Sequence, residues 1–137
     1  MFRTADALGI EKLYLCGTTP TPTDRFGRAR KDIAKVALGA EKHILWEKTE
    51  TTHQAIRALK KEKFKIIAIE QDKKSKPLGK IKPGKKFALV LGNEVGGIDK
   101  TVLALADTTL EIPMHGEKES LNVAVAFGIA GYTLIHI

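Results

Sequence analysis

Residues 111–137 read EIPMHGEKESLNVAVAFGIAGYTLIHI, and this stretch decides the fold. It begins as an apolar run, continues as a polar loop rich in Glu and Lys, and enters an uncharged segment at Ser120-Leu121-Asn122. We expect Ser120 to cap a helix over about 120–136 and Asn122 to lie in its first turn. Because no face of this helix is charged, we expect it to be buried between other elements or between subunits.

Working outward from this segment, short apolar or β-branched runs alternate with helical patterns along the chain. The predicted strands are KLYLCG (12–17), HILWEK (43–48), KIIAIE (65–70), KFALVLG (86–92) and DTTLEIP (107–113). The predicted helices are about 28–38, 51–62, 99–105 and 120–136. The helix over 51–62 has Ala55, Ile56 and Leu59 on its inward face. This alternation predicts an α/β fold with a largely parallel sheet, formed by residues 1–137 as a single domain.

Ligands of parallel sheets bind beyond the carboxyl ends of the strands, and two unusual loops follow strands here. GNEVGG (92–97) follows FALVL, and PMHGEKESLN (113–122) follows TLEI. A tight turn explains the glycines of the first loop as well as a ligand does. A tight turn explains the acidic residue Glu94 between these glycines less well than contact of its side chain with a ligand does. Because the loop lacks both G-x-G-x-x-G and a Lys-Ser/Thr pair, a nucleotide-binding oxidoreductase is disfavoured.

The positive charge is concentrated in one part of the chain. The formal net charge is +7 and the sequence pI is near 9.5, with 11 lysines and three acidic residues between positions 60 and 86. A solvated lysine-rich face is the simplest explanation, and a polyanionic partner is the alternative. Phe64 and Phe87 are the only aromatic residues in or beside this segment, which favours phosphate attraction over base stacking.

Cysteine content and hydropathy indicate the compartment. The single cysteine, Cys16, predicts a reducing cytoplasmic setting, and its strand-like context predicts a buried apolar residue rather than a nucleophile. The opening residues MFRTADALG place Arg and Asp where a signal peptide needs an apolar run. The uncharged segment 120–137 is at the short limit for a bilayer helix and contains Asn and His, so we expect no membrane span.

Three stretches together resemble the motifs of SPOUT methyltransferases, in particular the TrmH/SpoU branch. They are FRTADALGIEKLYLCG (2–17), FALVLGNEVGGI (87–98) and IPMHGEKESLNVAVAFGIAGY (112–132), and they cover nearly the whole chain in the family's order. The resemblance implies methylation of ribose 2′-hydroxyls in tRNA or rRNA, with S-adenosyl-L-methionine as cofactor and no metal. It also implies an α/β domain with a deep C-terminal trefoil knot, which assembles as a homodimer.

The resemblance also assigns residues to roles. The cofactor would be bound by Gly92, Ile112, Met114, Ser120 and Leu121. The catalytic residues would be Arg3, Glu94 and Asn122. Of these, Arg3 would act through the nearby phosphate and electrostatics, because a guanidinium normally stays protonated. Glu94 would lie beside the substrate or help to place Arg3, possibly that of the other subunit, and Asn122 would help to order the loop. The RNA backbone would be gripped by the 60–86 segment and by Arg25, Arg28 and Arg30.

The sequence departs from the family pattern at its beginning. Family members carry an asparagine several residues before the arginine of the first motif, and a strand before that; neither has a counterpart ahead of Arg3. This difference concerns the substrate side of the site more than the cofactor side. Ala124 stands where many relatives carry serine. Two alternatives therefore stay open: a non-catalytic knotted RNA-binding domain, and methylation of an RNA base by a related SPOUT mechanism.

Overall fold

The chain is described over residues 1–137 by a computed structural model, and it divides into two compact units, Met1–Ala55 and Ile56–Ile137. The predicted α/β class is confirmed, since every ladder between named strands is parallel. None of the helices has both the length and the apolar composition that a membrane crossing requires. The expectation of a single domain stays a prediction.

The first unit pairs two strands. Its elements are α1 (Phe2–Leu8), β1 (Lys12–Cys16), α2 (Lys31–Ala37), a 3₁₀ turn (Ala40–Lys42) and β2 (Leu45–Thr49). Helix α1 ends at Gly9, whose φ of 69° suits glycine. Cys16 is half-buried rather than buried, because its strand lies in a two-stranded sheet, and the Thr49 hydroxyl donates a hydrogen bond to its sulfur at 3.2 Å.

The predicted helix over 28–38 begins three residues later, at Lys31. The reason is a turn held by Asp24, whose carboxylate accepts hydrogen bonds from the backbone N–H groups of Phe26 and Arg28. The bond from the Arg28 backbone N–H is the main cause that lowers the pKa of Asp24 below its ordinary value. This local alternative to helical hydrogen bonding delays the start of α2.

The second unit contains a four-stranded parallel sheet. Helix α3 (Thr52–Lys61) crosses the boundary between the units; the other elements are β3 (Lys65–Ile69), β4 (Lys76–Pro77), β5 (Phe87–Leu91), α4 (Lys100–Leu103), β6 (Thr108–Glu111) and α5 (Val123–Ile135). The strand order is β4-β6-β3-β5. Strand β3 is therefore central, in register with β5 at Ile67↔Leu89 and with β6 at Ile67↔Thr108. All five predicted strands are confirmed, as is the buried face of α3.

The start and the burial of α5 differ from expectation. The helix begins at Val123 with Asn122 as its N-cap, so Ser120 is not the cap and Asn122 does not lie in the first turn. One face of α5 is buried, and its Leu134 packs with Ile67 and Leu110 in the core of this unit. The opposite face is apolar and exposed, since a helix packed on one side of a sheet leaves its other side uncovered. The exposed apolar face is formed by Val125, Ile129 and Tyr132.

Candidate active site

A cavity of about 540 Å³ lies beyond the carboxyl ends of β3, β5 and β6. These strands are parallel, so the loops that follow them meet at one edge of the sheet. The cavity is lined by six of the residues that the sequence singled out: Gly92, Glu94, Ile112, Met114, Ser120 and Leu121. The structure thus brings these residues together, and their individual roles stay predictions.

The loop after β5 owes its shape to Asn93 and Gly92. The Asn93 Oδ1 atom accepts hydrogen bonds from the backbone N–H groups of Val95 at 3.0 Å and Gly96 at 2.6 Å. A Cβ atom on Gly92 would lie 2.3 Å from the carbonyl carbon of Gly97, which is a backbone atom. The glycine at position 92 is therefore required by close approach of the chain to itself, and the side chain of Asn93 serves the turn.

Asn122 connects the two loops. Its Oδ1 atom caps α5 by accepting from the backbone N–H groups of Ala124 at 2.8 Å and Val125 at 3.4 Å. Its Nδ2 atom donates to the Glu94 Oε1 atom at 2.8 Å. A side-chain amide can accept at one end and donate at the other, which neither serine nor ionised aspartate can do in this geometry. Asn122 thereby holds the carboxylate of Glu94 at the cavity.

Two residues that the sequence analysis does not single out, Glu70 and Gln71, contact the loop after β5 and the loop after β6. The Glu70 carboxylate accepts from the backbone N–H of Ile98 at 3.0 Å and from that of Gln71 at 2.9 Å. The Gln71 Nε2 atom donates to the backbone carbonyl of Glu119 at 2.7 Å. Both residues directly follow β3 and line the cavity. The rule that ligands bind at strand carboxyl ends was the signal that could have found them.

The lining of the cavity combines apolar surface with negative charge. Its apolar residues include Ile69, Leu91 and those of the second loop, and it contains no aromatic side chain. Its acidic residues are Glu70, Asp72, Glu94 and Glu119, and its one basic residue is Lys100. This arrangement suits a ligand with an apolar part and a positive charge.

The predicted arginines lie in the first unit. Arg3 is exposed on α1, and its catalytic role stays a prediction. Arg28 pairs with Asp24 at 2.9 Å and Arg30 pairs with Asp32 at 3.0 Å, so both guanidinium groups already have carboxylate partners. Arg25 stacks over the ring of Phe26 at 4.9 Å.

Known proteins share this fold and sequence pattern. A model of the SpoU rRNA Methylase family matches residues 1–132. A tRNA (guanosine(18)-2′-O)-methyltransferase of Aquifex aeolicus is 32% identical over 130 residues, which are 95% of this chain and 58% of that protein. The 23S rRNA (guanosine(2553)-2′-O)-methyltransferase RlmP of Bacillus subtilis is 34% identical over 134 residues, which are 98% of this chain and 51% of that protein.

Solved structures agree with the sequence relatives. The TrmH/SpoU tRNA modifying enzyme of A. aeolicus superposes with a TM-score of 0.83 at 30% identity, over 98% of this chain and 65% of that one. The AdoMet-bound rRNA methyltransferase of Sinorhizobium meliloti superposes with a TM-score of 0.85 at 27% identity, over 98% of this chain and 49% of that one. The chain spans about half the length of the curated relatives it matches. On its sequence and its fold, the chain belongs to the SpoU rRNA methylase family.

Proposed function

We propose that this chain transfers a methyl group from S-adenosyl-L-methionine to a ribose 2′-hydroxyl of tRNA or rRNA. The observation that carries the proposal is the cavity at the carboxyl ends of β3, β5 and β6, because its walls are the second and third motif loops. Family membership and the names of the relatives, which act on tRNA and on rRNA at the 2′-oxygen, support it. So does the AdoMet-bound relative from S. meliloti.

The residues of the cavity fit this cofactor. Ile112, Met114 and Leu121 offer apolar surface for the adenosine part, and Gly92 lets the backbone approach it closely. The acidic side chains of the lining complement the positive charge of a sulfonium. Once bound, the cofactor supplies a methyl group that is already activated for transfer.

The chain's own residues then align and polarise the hydroxyl. A ribose hydroxyl is a weak nucleophile until its proton leaves or its developing charge is stabilised. Arg3 stabilises that charge and the neighbouring phosphate as a protonated guanidinium. We expect Glu94, which accepts a hydrogen bond from the Asn122 amide, to lie beside the substrate and to orient the nucleotide.

The proposal includes a C-terminal trefoil knot and a homodimer in the cytoplasm. The side chain of Gln71 holds the main chain at Glu119, and Leu134 of α5 belongs to a cluster that includes Leu78 and Ile81 of the segment between β4 and β5. These contacts connect the C-terminal segment to the earlier segments of the chain through which it would pass in a knot. The exposed apolar face of α5 supplies a surface that a second copy can bury.

Calorimetric titration of S-adenosyl-L-methionine into the 137-residue chain tests the cofactor site. We expect a Kd in the micromolar range, about −8 kcal/mol. Transfer of labelled methyl groups to unmodified tRNA and rRNA, followed by nucleoside analysis, then tests the reaction. A methylated base in place of a 2′-O-methyl nucleoside would establish the related base-modifying reaction instead.

The Arg3→Ala variant distinguishes the hypothesis of an enzyme from that of a non-catalytic RNA-binding domain. We expect it to abolish methyl transfer and to leave RNA affinity nearly unchanged. RNA binding by a chain that shows no cofactor binding in calorimetry would contradict the proposed function.

A further inference from the structure

A second cavity, of about 510 Å³, adjoins the first. Asp72, Lys100 and Leu103 line both cavities, so the two share a wall. The second cavity runs from this shared wall past Lys74 and Lys76 to the start of β6. We call it the lysine groove, after Lys74, Lys76 and Lys100.

The ammonium groups of the lysine groove are unpaired. No carboxylate lies within ion-pair distance of Lys74, Lys76 or Lys100. The two carboxylates of the groove accept hydrogen bonds from backbone N–H groups. Asp107 accepts from the backbone N–H of Ile66 at 2.7 Å, and Asp72 accepts from that of Lys74 at 3.2 Å. The groove therefore presents three ammonium groups without an ion-pair partner, beside the carboxylates of Asp72 and Asp107.

Two other lysines of the 60–86 segment, Lys60 and Lys86, differ in this respect. Lys60 lies 3.9 Å from a carboxylate oxygen of Asp107. Lys86 donates to the backbone carbonyl of Glu62 at 2.5 Å and lies over the ring of Phe64. Of the segment's lysines, only Lys74 and Lys76 line the groove, and Lys100, which lies outside the segment, lines it with them.

We propose that the lysine groove binds the phosphodiester backbone of the RNA substrate next to the ribose that is methylated. This inference rests on the proposed function. Ammonium groups bind phosphate oxygens as point charges, and three in one concave surface can contact phosphates of one strand. The lining contains no aromatic side chain, so it offers contact with the backbone rather than stacking for bases. Lys100, at the shared wall, binds the phosphate nearest to the cofactor cavity.

The test compares Lys74→Gln/Lys76→Gln with Lys35→Gln/Lys42→Gln. Both double variants remove two positive charges from exposed lysines, and only the first alters the groove. The affinity for a labelled, unmodified tRNA transcript is measured between 50 and 300 mM KCl. Each lost phosphate contact makes the negative slope of log K against log salt shallower by about 0.7. We therefore expect the slope of the groove variant to become shallower by about 1.4 and that of the control variant to change little.

Steady-state kinetics give a second readout. The groove variant is expected to raise KM for the transcript roughly tenfold at 50 mM KCl, to keep kcat within about twofold, and to bind S-adenosyl-L-methionine with unchanged affinity, because Lys74 and Lys76 do not line the cofactor cavity. A general loss of structure would instead lower kcat and cofactor affinity together.

Three outcomes would overturn the inference. An equal change of the salt slope in both variants would mean that RNA binding depends on the net positive charge of the chain and not on the groove. Displacement of the transcript by inorganic phosphate, beyond the effect of KCl at equal ionic strength, would assign the groove to free phosphate. Absence of RNA binding by the unaltered chain would remove the RNA part of the proposed function as well, and intact cofactor binding would distinguish that result from failure of the cofactor site.

Discussion

Asn122 illustrates how much one side chain contributes at the residue scale. Replacement by alanine removes the cap of α5 and the hydrogen bond to Glu94 together. We expect the Asn122→Ala variant to lose about 1 kcal/mol of unfolding free energy and to bind S-adenosyl-L-methionine more weakly. Thermal unfolding and calorimetry measure the two effects.

The Asn122→Ser variant separates these two contributions. Serine caps helices well but is too short to reach Glu94 as the amide does. Recovery of stability without recovery of cofactor affinity or turnover is the expected result. Full recovery of all three would show that the bond between Asn122 and Glu94 has no functional role.

Glu70 gives a second prediction at this scale. Its two carboxylate oxygens accept from two backbone N–H groups, and a glutamine has only one acceptor oxygen. We expect Glu70→Gln to leave one N–H group unpaired, to cost about 1–3 kcal/mol, and to weaken cofactor binding by loosening the loop after β5. Calorimetry at matched temperature measures the affinity.

The matched control is Glu62→Gln, which makes the same chemical change at an exposed carboxylate that has no hydrogen bond in the structure. Equal behaviour of the two variants would show that Glu70 does not position the loop.

The sequence predicts the position of these residues in the fold better than their hydrogen bonds. Gly92, Met114 and Leu121 line one cavity, as expected because loops at the ends of parallel strands converge. Ser120 was expected as the cap, since serine and asparagine are nearly equal at this position and local sequence does not rank them. The hydrogen bond from the Ile98 backbone N–H to Glu70 joins parts of the chain that are 28 residues apart, and no local pattern encodes it.

At the element scale, the loop after β5 tolerates no side chain at its first residue. A methyl group on Gly92 would overlap backbone atoms of Gly97 and Ile98, which cannot rotate away. We expect Gly92→Ala to destabilise the chain by roughly 1–3 kcal/mol and to abolish detectable cofactor binding. Differential scanning calorimetry and titration measure both.

Gly116 provides the comparison. It lies in the loop after β6, and a Cβ atom there would meet nothing within 4 Å. The Gly116→Ala variant is expected to unfold within about a degree of the parent chain. Similar losses at both positions would mean that the close approach at Gly92 is not what fixes the loop.

Strands were predicted more accurately than helix boundaries, and the reason is physical. The five apolar runs are bounded by turn residues on both sides, so their pattern survives in the structure. Helix α2 starts late because the side chain of Asp24 competes for backbone N–H groups. Strand β4 was missed because Lys76 and Pro77 carry no strand signal and pair only through tertiary contact with β6.

At the scale of the whole molecule, the exposed apolar face of α5 predicts self-association. Val125, Ile129 and Tyr132 lie along one side of the helix and are 51%, 40% and 60% exposed. We expect the parent chain to sediment as a dimer and Ile129→Glu to sediment as a monomer, because an unpaired charge opposes burial of that face. Analytical ultracentrifugation distinguishes the two states.

Val36→Glu is the control for this prediction, since Val36 is 66% exposed on α2 and lies outside the α5 face. It is expected to remain dimeric. A monomeric parent chain would contradict the homodimer.

The central position of β3 has a consequence for folding kinetics. Its partners in the sheet, β5 and β6, both follow it at long range, at Ile67↔Leu89 and Ile67↔Thr108. Closing these loops loses chain entropy before any pairing compensates, so parallel sheets of this kind form slowly. The cavity exists only when both neighbours are in register, because its walls follow all three strands. After dilution from denaturant, the capacity to bind a ligand should therefore recover with the rate constant of the slowest refolding phase, well after most helical signal has returned.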